Sequence, residues 1–556
     1  MEPLHYKYWP KDVPHRFPIP ETTLYYNLEV AAKRYPDRTA MAYYGSRLRY
    51  AELQRQVDAL AGYLQERCGL RRGERVLLYM QNSPQFVIAY YAIIRADAVV
   101  VPINPMNLTD ELKHYVSDCG AGVAISGLEL LPRISPLLGE AGLAKIIVAN
   151  YADYLTEPTD LPVPDFVKLP MPPLNGSSLV PWREALAAAC TPGPHLAEPD
   201  DLCAMPYTSG TTGRPKGCMH THRTLMANAA LTGIWTYAAP TDAVLAVVPF
   251  FHITGMVMLM HGTLYLGAQL VLMTRWDREL AAQLIERHQI TSWTNIPTMV
   301  IDLLASPNVT KFKLNSLRHI GGGGAAMPAA VGKKLFELTG LEYVEGYGLT
   351  ETAAPTHSNP TDRPKRQCLG IPVCNTEALV INPDTLQILG PGEVGEIVSC
   401  GPQIFTGYWN NPDASKAAFV EIAGKTFFRT GDLGRYDEEG YYFIVDRLKR
   451  MINASGYKVW PAEVESMMYG HPDIQEACVI GVQDAHRGEN VKAVVVLKPA
   501  AHGRVTEHDI IAWCKEHMAA YKHPRIVEFV EALPKSATGK VQWRMLQEKE
   551  RARSVG

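Results

Sequence analysis

The sequence predicts an α/β protein: a large N-terminal domain with two doubly wound sheets and a small β-barrel, then a small α+β C-terminal domain. Buried apolar runs of strand length alternate twice with stretches of helical period, which is typical of parallel strands covered by helices. Further along, the chain changes to short β-type runs broken by Gly and Pro. A chain of 556 residues is also too long for one hydrophobic core.

The two alternations can be followed along the chain by their apolar periodicity. The predicted elements of the first are helices Leu24–Arg34 and Tyr50–Cys68, strands Arg75–Tyr79 and Ala98–Pro102, and the amphipathic crossover Ser83–Ile94. Those of the second are strands Val244–Val248, Leu264–Met273 and Ser292–Ile296, with helix Glu279–Arg287 between them. Each alternation predicts one doubly wound sheet.

The last third of the chain has a different texture. Gly370–Tyr442 predicts a small antiparallel barrel or sheet, and the chain beyond Asp446 predicts a compact α+β unit with helix Pro461–Tyr469 and strand Lys492–Leu497. We therefore expect an N-terminal domain over residues 1–445 and a C-terminal domain over residues 446–556.

Composition excludes several classes of protein. A net charge of −3 gives no reason to expect nucleic acid as a partner, and ten scattered cysteines suit a reduced, cytoplasmic protein better than a disulfide framework. The N-terminus lacks the apolar core of a secretion signal. Met256–Met273 has no Asp, Glu, Lys or Arg, but His261, Gln269 and two glycines interrupt it. We expect a buried helix and strand there, with no transmembrane segment.

A loop rich in hydrogen-bond donors lies at Tyr207–Gly217. Its glycines let backbone N–H groups turn toward an anion, and Lys216 adds a mobile positive charge suited to polyphosphate. The P-loop pattern is absent, because Gly217 stands where a Ser or Thr would hold the metal. The loop predicts a nucleotide-phosphate site of another kind, with a plain surface turn as the alternative. The predicted phosphate-binding residues are Thr208, Ser209, Gly210, Thr211, Thr212 and Lys216.

Five further motifs follow this loop along the chain. They are Pro249–Gly255 (PFFHITG), Gly346–Glu351 (GYGLTE), Thr430–Asp432 (TGD), Asp446–Arg450 (DRLKR) and Pro534–Lys540 (PKSATGK). With Thr208–Gly217 they resemble the adenylate-forming superfamily of acyl-CoA synthetases, nonribosomal-peptide adenylation domains and beetle luciferases. The resemblance covers nearly the whole chain from about Leu24. It implies an acid–thiol ligase that uses ATP, Mg²⁺ and coenzyme A.

The resemblance also implies roles for individual residues around the nucleotide. Tyr347 would offer its ring to adenine, Asp432 would accept from the ribose hydroxyls, and Arg447 would add a planar cation. The predicted nucleotide-binding residues are Gly323, Gly324, Ala325, Tyr347, Gly348, Asp432 and Arg447. Without the resemblance, Tyr347 reads equally as a core aromatic and Asp432 as a turn residue.

Four residues are predicted to act at the reacting groups. By resemblance, Glu351 would hold the Mg²⁺ and Thr350 would donate to the α-phosphate. Lys540 would reach the carboxylate and the α-phosphate, and His252 would flank the acyl channel. The alternatives are a helix-start carboxylate for Glu351, a solvated surface lysine for Lys540 and a core histidine for His252.

The resemblance implies two half-reactions: the acid first forms an acyl-adenylate, and a thiol then attacks it. In the second, the thiol must take the place of Lys540 beside the adenylate. The resemblance implies that the C-terminal domain rotates about a hinge at Lys449. Gly456 would then line the pantetheine tunnel, with a helix cap as the alternative explanation. The partners we expect are a small carboxylic acid, ATP and CoA; a homodimer is the one protein partner considered.

The acid is less well specified. Pro249–Gly255 contains no carboxylate to pair with a substrate ammonium, which disfavours amino acids. Gly348 stands where acetate-specific relatives carry Trp, and Gly321–Gly324 suggest further space, so we expect a longer acyl group. The expected contacts of its tail are Phe251, Met256, Trp293 and Met299. The stretch Arg447–Glu465 is most similar to medium- and long-chain fatty acyl-CoA synthetases, with aryl or branched acids as the alternative. Two less favoured hypotheses are oxygenation of the adenylate and a nucleotide-binding regulator without turnover.

Overall fold

The structure is a computed structural model, and it describes residues 2–208, 215–447, 450, 452–454, 457–484, 488–519, 521–535 and 541–555. Its strands are β1 Thr39–Tyr43, β2 Ser46–Arg49, β3 Arg75–Tyr79, β4 Val99–Pro102, β5 Val123–Gly127, β6 Lys145–Ala149, β7 Leu179–Pro181, β8 Leu202–Ala204, β9 Tyr207–Thr208, β10 Lys216–Thr221, β11 Ala243–Ala246, β12 Gln269–Leu272, β13 Ser292–Asn295, β14 His319–Gly322, β15 Val344–Leu349, β16 Ala354–Ser358, β17 Ile371–Pro372, β18 Glu377–Ile381, β19 Gly395–Cys400, β20 Gly407–Tyr408, β21 Phe419–Ile422, β22 Lys425–Tyr436, β23 Tyr442–Arg447, β24 Ile452–Ala454, β25 Tyr457–Val459, β26 Ile474–Asp484, β27 Gly488–Leu497 and β28 Ile526–Phe529.

The α-helices are α1 Leu24–Arg34, α2 Tyr50–Glu66, α3 Pro84–Arg95, α4 Thr109–Cys119, α5 Leu131–Ile134, α6 Trp182–Ala187, α7 His222–Thr236, α8 Gly262–Leu266, α9 Arg278–His288, α10 Pro297–Leu304, α11 Ala329–Thr339, α12 Pro412–Ala417, α13 Pro461–Met468, α14 Glu507–His517 and α15 Trp543–Val555. A π-helical segment, Gly255–His261, directly precedes α8.

Two large sheets organise the N-terminal part of the chain. In the described residues the first has nine strands in the order β17-β16-β15-β14-β13-β11-β12-β1-β2, and the six from β15 to β1 are parallel. The second runs β20-β10-β8-β4-β3-β5-β6-β7, with β9 on β10, and is parallel from β8 to β7. Helices connect the parallel strands, so the predicted α/β class with two doubly wound sheets is confirmed.

Two smaller sheets follow. The region predicted as a barrel or sheet forms five strands in the order β18-β19-β22-β21, with β23 paired to β22. The end of the chain forms β25-β24-β27-β26, with β28 paired to β27 and α13, α14 and α15 beside it, which is the expected α+β arrangement.

The chain divides into two compact units. The first comprises Met1–Glu377 and Cys400–Phe428, and the second comprises Ala378–Ser399 and Arg429–Gly556. Compactness thus groups residues 378–399 and 429–445 with the second unit, whereas we assigned them to the first domain. Compactness does not report which residues move together, so a domain boundary at residue 446 stays a prediction.

Helix α3 differs from its amphipathic prediction. Ser83 caps it by accepting from the Phe86 N–H at 3.2 Å, Pro84 occupies the first turn, and every residue from Pro84 to Ile94 is buried. The π-helical segment covers one side of α3, where the Tyr91 hydroxyl lies 2.9 Å from Nδ1 of His261. A helix covered on all sides is apolar around its whole circumference, so no polar face is needed.

The apolar segment Met256–Met273 is a largely buried helix followed by a strand, and the order of the two agrees with the prediction. It comprises the π-helical turns from Met256, then α8 and β12. The predicted strand Leu264–Met273 began too early, because Leu264–Leu266 end α8 and the strand starts at Gln269. In the part of the chain that the structure describes, no helix combines the length and the apolar composition needed to cross a bilayer.

Close backbone packing at the edge of the first sheet requires glycine. A Cβ on Gly348 would lie 1.7 Å from the carbonyl oxygen of Ala354, and one on Gly322 would lie 1.8 Å from that of Asn295. Real side chains do not approach backbone oxygen so closely. These glycines therefore allow β15 to meet β16 and β14 to meet β13.

We expect Gly348→Ala to lower the free energy of unfolding by roughly 3 kcal/mol or more, because the new methyl group overlaps backbone that cannot rotate away. Gly332→Ala is the matched control, since its Cβ would make an ordinary 3.5 Å contact inside α11. That change should be neutral or stabilising by up to about 1 kcal/mol. Urea denaturation of both variants measures the difference; wild-type stability for Gly348→Ala would contradict the packing.

Burial lowers the pKa of several histidines, and His261 is one of them. Desolvation lowers the pKa of His261 from 6.5 to about 3. The ring is therefore neutral in the folded protein, whereas the unfolded chain binds a proton below about pH 6.5. Because the unfolded state binds more protons in this window, stability falls as the pH drops from 6.5 toward 3.

The slope of the free energy of unfolding against pH should be smaller in His261→Gln than in the wild type by about 1 kcal/mol per pH unit between pH 6 and 5. His508→Gln, on an exposed position of α14, is the control and should leave the slope unchanged. Urea titrations at several pH values measure both slopes. Equal slopes for His261→Gln and the wild type would show that this ring is not buried in its neutral form.

Candidate active site

The two ends of the predicted phosphate loop form a small hairpin. Thr208 pairs with Lys216 and Tyr207 pairs with Gly217, which brings β9 against the start of β10. Ser209, Gly210, Thr211 and Thr212 lie outside the described residues. The hairpin places Thr208 and Lys216 next to each other, so these two predicted phosphate ligands lie on one side of the site.

Lys216 and Glu351 are linked through a tyrosine that the sequence did not reveal. The Tyr408 hydroxyl donates to Oε1 of Glu351 at 2.8 Å, and Nζ of Lys216 lies 4.8 Å from the centre of the Tyr408 ring. Strand β20 brings Tyr408 here because it pairs with β10, with Cys218 opposite Tyr408. Burial, reinforced by the Glu351 carboxylate, raises the pKa of Tyr408, so its hydroxyl remains a donor.

One carboxylate next to a lysine suits Mg²⁺ that arrives with nucleotide. Mg²⁺ keeps several waters and is usually held by one or two carboxylates together with substrate phosphates. In the described residues no group of three or more His, Cys, Asp or Glu could form an all-protein cage. Glu351 lies in a buried turn, where its carboxylate is oriented by Tyr408. The donor set thus fits this mode of binding.

The turn that carries Thr350 and Glu351 is held by buried polar side chains. The Nε2–H of His220 donates to the Thr350 carbonyl at 2.8 Å, and desolvation lowers the pKa of His220 to about 4, which keeps the ring neutral. The amide of Asn228 donates to the carbonyls of Ala353 and Pro355 at 2.8 and 3.1 Å. Ala353 and its successor have φ of 49° and 76°, an uncommon conformation outside glycine that these bonds help to maintain.

The predicted adenine-binding residues meet where β14 and β15 end. Gly322 is in register with Glu345, and a Cβ on Gly323 would lie 2.3 Å from the carbonyl of Gly346. Tyr347 follows Gly346, and its ring centre lies 5.8 Å from that of His357. Gly324 has φ of +84° and precedes Ala325. The structure therefore brings Gly323, Gly324, Ala325, Tyr347 and Gly348 to one edge of the first sheet.

The glycines do not open an acyl channel in the way we expected. At Gly348, Gly321 and Gly322 an added Cβ would meet backbone oxygen at 1.7, 2.5 and 1.8 Å. These positions are small because strands pack closely there, so the inference of extra acyl space from Gly348 and Gly321–Gly323 was wrong. Gly324 is the exception, because nothing lies within 4 Å of its Cβ position.

His252 begins the segment expected along the acyl chain. Its carbonyl accepts from the Met256 N–H at 2.9 Å, and its Nδ1 accepts from the Thr254 N–H at 3.4 Å. Met256 and Trp293 are fully buried, whereas Phe251 and Met299 are half-buried and pack against the same core. Met256 accepts at sulfur from the Tyr90 hydroxyl at 3.4 Å, so it belongs to the core against α3.

A cavity of about 610 Å³ lies elsewhere in the first unit. Its lining includes Leu48 of β2, Arg55 of α2, Trp182 of α6 and Tyr154, which ends a short 3-10 helix. Among the described residues, its lining and the predicted site residues have no member in common. The candidate site is therefore assigned from its polar side chains rather than from this cavity.

The second unit brings Asp432 and Arg447 together. The two residues face each other across the antiparallel pair β22–β23. Asp432 is fully buried, its N–H donates to Thr430 Oγ1 at 3.1 Å, and that hydroxyl donates to the Ile397 carbonyl at 2.6 Å. Of Arg447 the structure describes the backbone.

The residues on either side of the predicted hinge are anchored within the second unit. Asp446 accepts from the Ala462 N–H at 2.7 Å at the start of α13, and Arg450 pairs with the half-buried Glu465 of the same helix. Arg450 also donates to the Val479 carbonyl at 3.0 Å. Lys449 lies outside the described residues, as does Gly456, which falls between the paired residues Ala454 and Tyr457.

The segment that contains Lys540 is closed at its base. Lys535 and Val541 form an isolated antiparallel bridge, and the Gln542 N–H donates to the Pro534 carbonyl at 2.7 Å. Lys535 forms an ion pair within the second unit, where its Nζ lies 2.6 Å from the Glu476 carboxylate. Lys540 itself lies outside the described residues.

Sequence reasoning missed Tyr408, His220 and Asn228. Tyr408 is distant in sequence from both of its partners, and nothing in its neighbourhood marks it as a site residue. His220 carried a weak signal, because it begins a His-Thr-His run shortly after the phosphate loop. Asn228 looks like an ordinary polar residue of a helix, and only the fold shows its three acceptors.

Known proteins resemble this chain over most of its length. The family model of the AMP-binding enzyme matches residues 28–409, and that of the AMP-binding enzyme C-terminal domain matches residues 463–540. A long-chain-fatty-acid–CoA ligase of Bacillus subtilis (strain 168) is 36% identical over 555 residues, 98% of this chain and 97% of the relative. A feruloyl-CoA synthase of an Amycolatopsis species is 34% identical over 92% of this chain and 95% of the relative.

A solved structure agrees with these relatives. The ATP-bound crystal structure of MatB from Rhodopseudomonas palustris has a TM-score of 0.83 at 29% identity, and the match covers 95% of this chain and 99% of that one. Matches to both family models, together with relatives above 30% identity along almost the full length, lead to one conclusion. The chain belongs to the AMP-binding enzyme family.

Proposed function

We propose that this protein, an ATP-dependent acid–CoA ligase of the adenylate-forming family, acts on fatty acids of medium or long chain. The observation that carries the catalytic assignment is the connected set Lys216–Tyr408–Glu351, beside the turn that presents Thr350. This set combines a cation, a carboxylate and oriented donors at one place. An anionic triphosphate needs such an arrangement.

In the first step a carboxylate oxygen of the acid attacks the α-phosphorus of ATP. A new P–O bond forms to the acyl group, and the bond to pyrophosphate breaks. Lys216 and Thr208 would hold the β- and γ-phosphates, and Thr350 would donate to the α-phosphate. Glu351 would hold Mg²⁺, which when bound neutralises phosphate charge. The fixed positions of these groups lower the reorganisation needed as charge develops.

Lys540 would supply the charge that completes the first step. A lysine on a flexible stem can reach the oxygens shared by the carboxylate and the α-phosphate. The residues on either side of its segment, Lys535 and Val541, pair as an isolated antiparallel bridge. Asp432 and Arg447, opposite each other on β22 and β23, would bind the ribose and add charge to the nucleotide.

In the second step the CoA sulfur attacks the acyl carbonyl carbon. The C–O bond to AMP breaks, AMP leaves with the electron pair, and the thiol proton passes to solvent. We propose that the C-terminal domain rotates about Lys449 between the steps, with Gly456 lining the thiol tunnel. Asp446 and Arg450, described residues on either side of Lys449, both bond to α13. A rotation about Lys449 would therefore require one of these two contacts to break.

The choice of a fatty acid is supported by the relatives. The Bacillus relative named as a long-chain-fatty-acid–CoA ligase is 36% identical. An aryl acid is the second candidate, because a feruloyl-CoA synthase is 34% identical over 92% of this chain. Both acids would use the same catalytic residues, so the difference is confined to the acyl pocket.

Lys540→Ala should lower ATP–pyrophosphate exchange by about a hundredfold or more, because a single preorganised charge at the transition state contributes on that scale. Lys535→Ala is the matched control: the same residue type, five positions earlier, paired with Glu476 at a partly exposed position. It should change the rate by no more than about twofold. Exchange measured with radiolabelled pyrophosphate and dodecanoate compares the two. Equal rates in Lys540→Ala and the wild type would remove the catalytic assignment of this lysine.

Specificity constants should identify the acid. With octanoate, dodecanoate and palmitate, kcat/KM for CoA thioester formation should exceed the value for benzoate and ferulate by at least about tenfold, since a hydrophobic pocket gains free energy with each buried methylene. A coupled assay of AMP release, with and without CoA, measures this for each acid. A higher constant for ferulate than for every straight-chain acid would replace the fatty acid by the aryl candidate.

A further inference from the structure

Helix α4, Thr109–Cys119, is fixed firmly at both ends. At its start the Leu108 N–H donates to Oε2 of Glu111 at 2.8 Å, and Thr109 donates to the Arg133 carbonyl at 2.8 Å. At its end Gly120 adopts a left-handed conformation, and Nε of Arg75 donates to the Cys119 carbonyl at 2.6 Å. The helix is thus a rigid support rather than a loosely packed surface element.

This helix contacts both sides of the phosphate-loop hairpin. The Nε2–H of His114 donates to the carbonyl of Pro215 at 3.1 Å, directly before Lys216. The Tyr207 hydroxyl donates to Oδ2 of Asp118 at 2.5 Å, directly before Thr208. His114 and Asp118 lie on one face of α4 at i and i+4, so a single helix face fixes the two stems.

The same helix also holds the strand that carries Tyr408. The carbonyl of Asp118 accepts from Nε1 of Trp409 at 3.0 Å and from the amide of Asn410 at 3.2 Å. The backbone N–H of Trp409 in turn donates to the Gly217 carbonyl at 2.9 Å. Both stems of the hairpin and the distant residues that follow β20, each next to a phosphate-site residue, therefore share one support.

We propose that His114 and Asp118 are positioning residues for ATP, which set the placement of Lys216, Thr208 and Tyr408 without touching the nucleotide themselves. The inference rests on the proposed function of this site. A lysine with four rotatable bonds and a hydroxyl on a two-residue strand bind phosphate well only if their backbone is already placed. The acid and CoA do not use these stems, so their binding is independent of α4.

The physical consequence is a selective effect on ATP. Loss of the His114 bond leaves the Pro215 carbonyl without its side-chain donor and frees one stem, and loss of the Asp118 carboxylate frees the other. Because each stem continues into a phosphate-binding residue, either loss adds an ordering cost to ATP binding. The cost should appear in KM for ATP more than in kcat, since the bound complex can restore the stem geometry.

His114→Ala should raise KM for ATP about tenfold, the loss of one well-placed hydrogen bond with its ordering effect. His114→Gln, whose amide can also donate to a carbonyl, should remain within about twofold of the wild type. Tyr207→Phe and Asp118→Ala should each raise KM for ATP, and the double variant should be no worse than the more severe single change, because both remove the same bond. KM for the acid and for CoA should stay unchanged throughout.

Lys113→Ala is the control on the same helix, since its side chain points to Glu140 at 2.9 Å on the surface. Isothermal titration of the folded variants with ATP and magnesium chloride gives a second readout that needs no turnover. A wild-type ATP dissociation constant in folded His114→Ala would overturn the inference, as would a parallel rise of KM for all three substrates. If the wild type formed no CoA thioester, the proposed function would fail while the ATP titration still tested α4.

Discussion

The candidate site depends on one six-residue strand, β10. Its first residue is Lys216, and side chains on alternate positions point the same way along a strand, so Lys216, Cys218 and His220 share a face. That face meets Tyr408 and Glu351 at one end and the Thr350 carbonyl at the other. Thr221, its last residue, caps α7 by accepting from the Thr224 N–H at 3.2 Å. Helix α7 then carries Asn228 to the turn after Glu351.

The middle of this face is buried, and burial strengthens the electrostatic interactions of the polar groups at its ends. Cys218 and His220 are fully buried, and burial raises the pKa of the Cys218 thiol far above its usual range while it lowers that of His220 to about 4. Both side chains are therefore neutral behind the site. A low-dielectric wall without charge of its own strengthens the attraction of Lys216 for phosphate and costs no counter-charge. On this face the positive charge lies at Lys216, the first residue of β10.

Prediction of the fold from the sequence succeeded where the signal lies within one continuous stretch of the chain. The alternation of strands and helices was enough for the two doubly wound sheets. The motifs pointed to Lys216, Thr350 and Glu351, which the structure brings near Tyr408 and His220, and the roles of these three residues stay predictions. Prediction failed where a contact joins distant segments: Tyr408 reaches Glu351 through pairing of β20 with β10, and α4 reaches Pro215 across 101 residues. It also misjudged Gly348, because a missing side chain signals either open space or close backbone, and only the Ala354 carbonyl at 1.7 Å decides between them.

The proposed division between catalytic frame and acyl contacts would explain why this chain is similar both to a long-chain-fatty-acid–CoA ligase and to a feruloyl-CoA synthase. Lys216, Thr350 and Glu351 are held by β10, α7 and β20, whose contacts are backbone pairs and buried or partly buried polar bonds. Two of the expected acyl contacts, Phe251 and Met256, come from another source, the segment around His252 and the π-helical turns that follow it. A π-helix has wider hydrogen-bond spacing than an α-helix, and side chains in such turns are displaced from regular helical positions. Under the proposed assignment, substitutions in that segment would change the shape offered to an acid without moving β10, and a fatty acyl and an aryl ligase would share one catalytic frame.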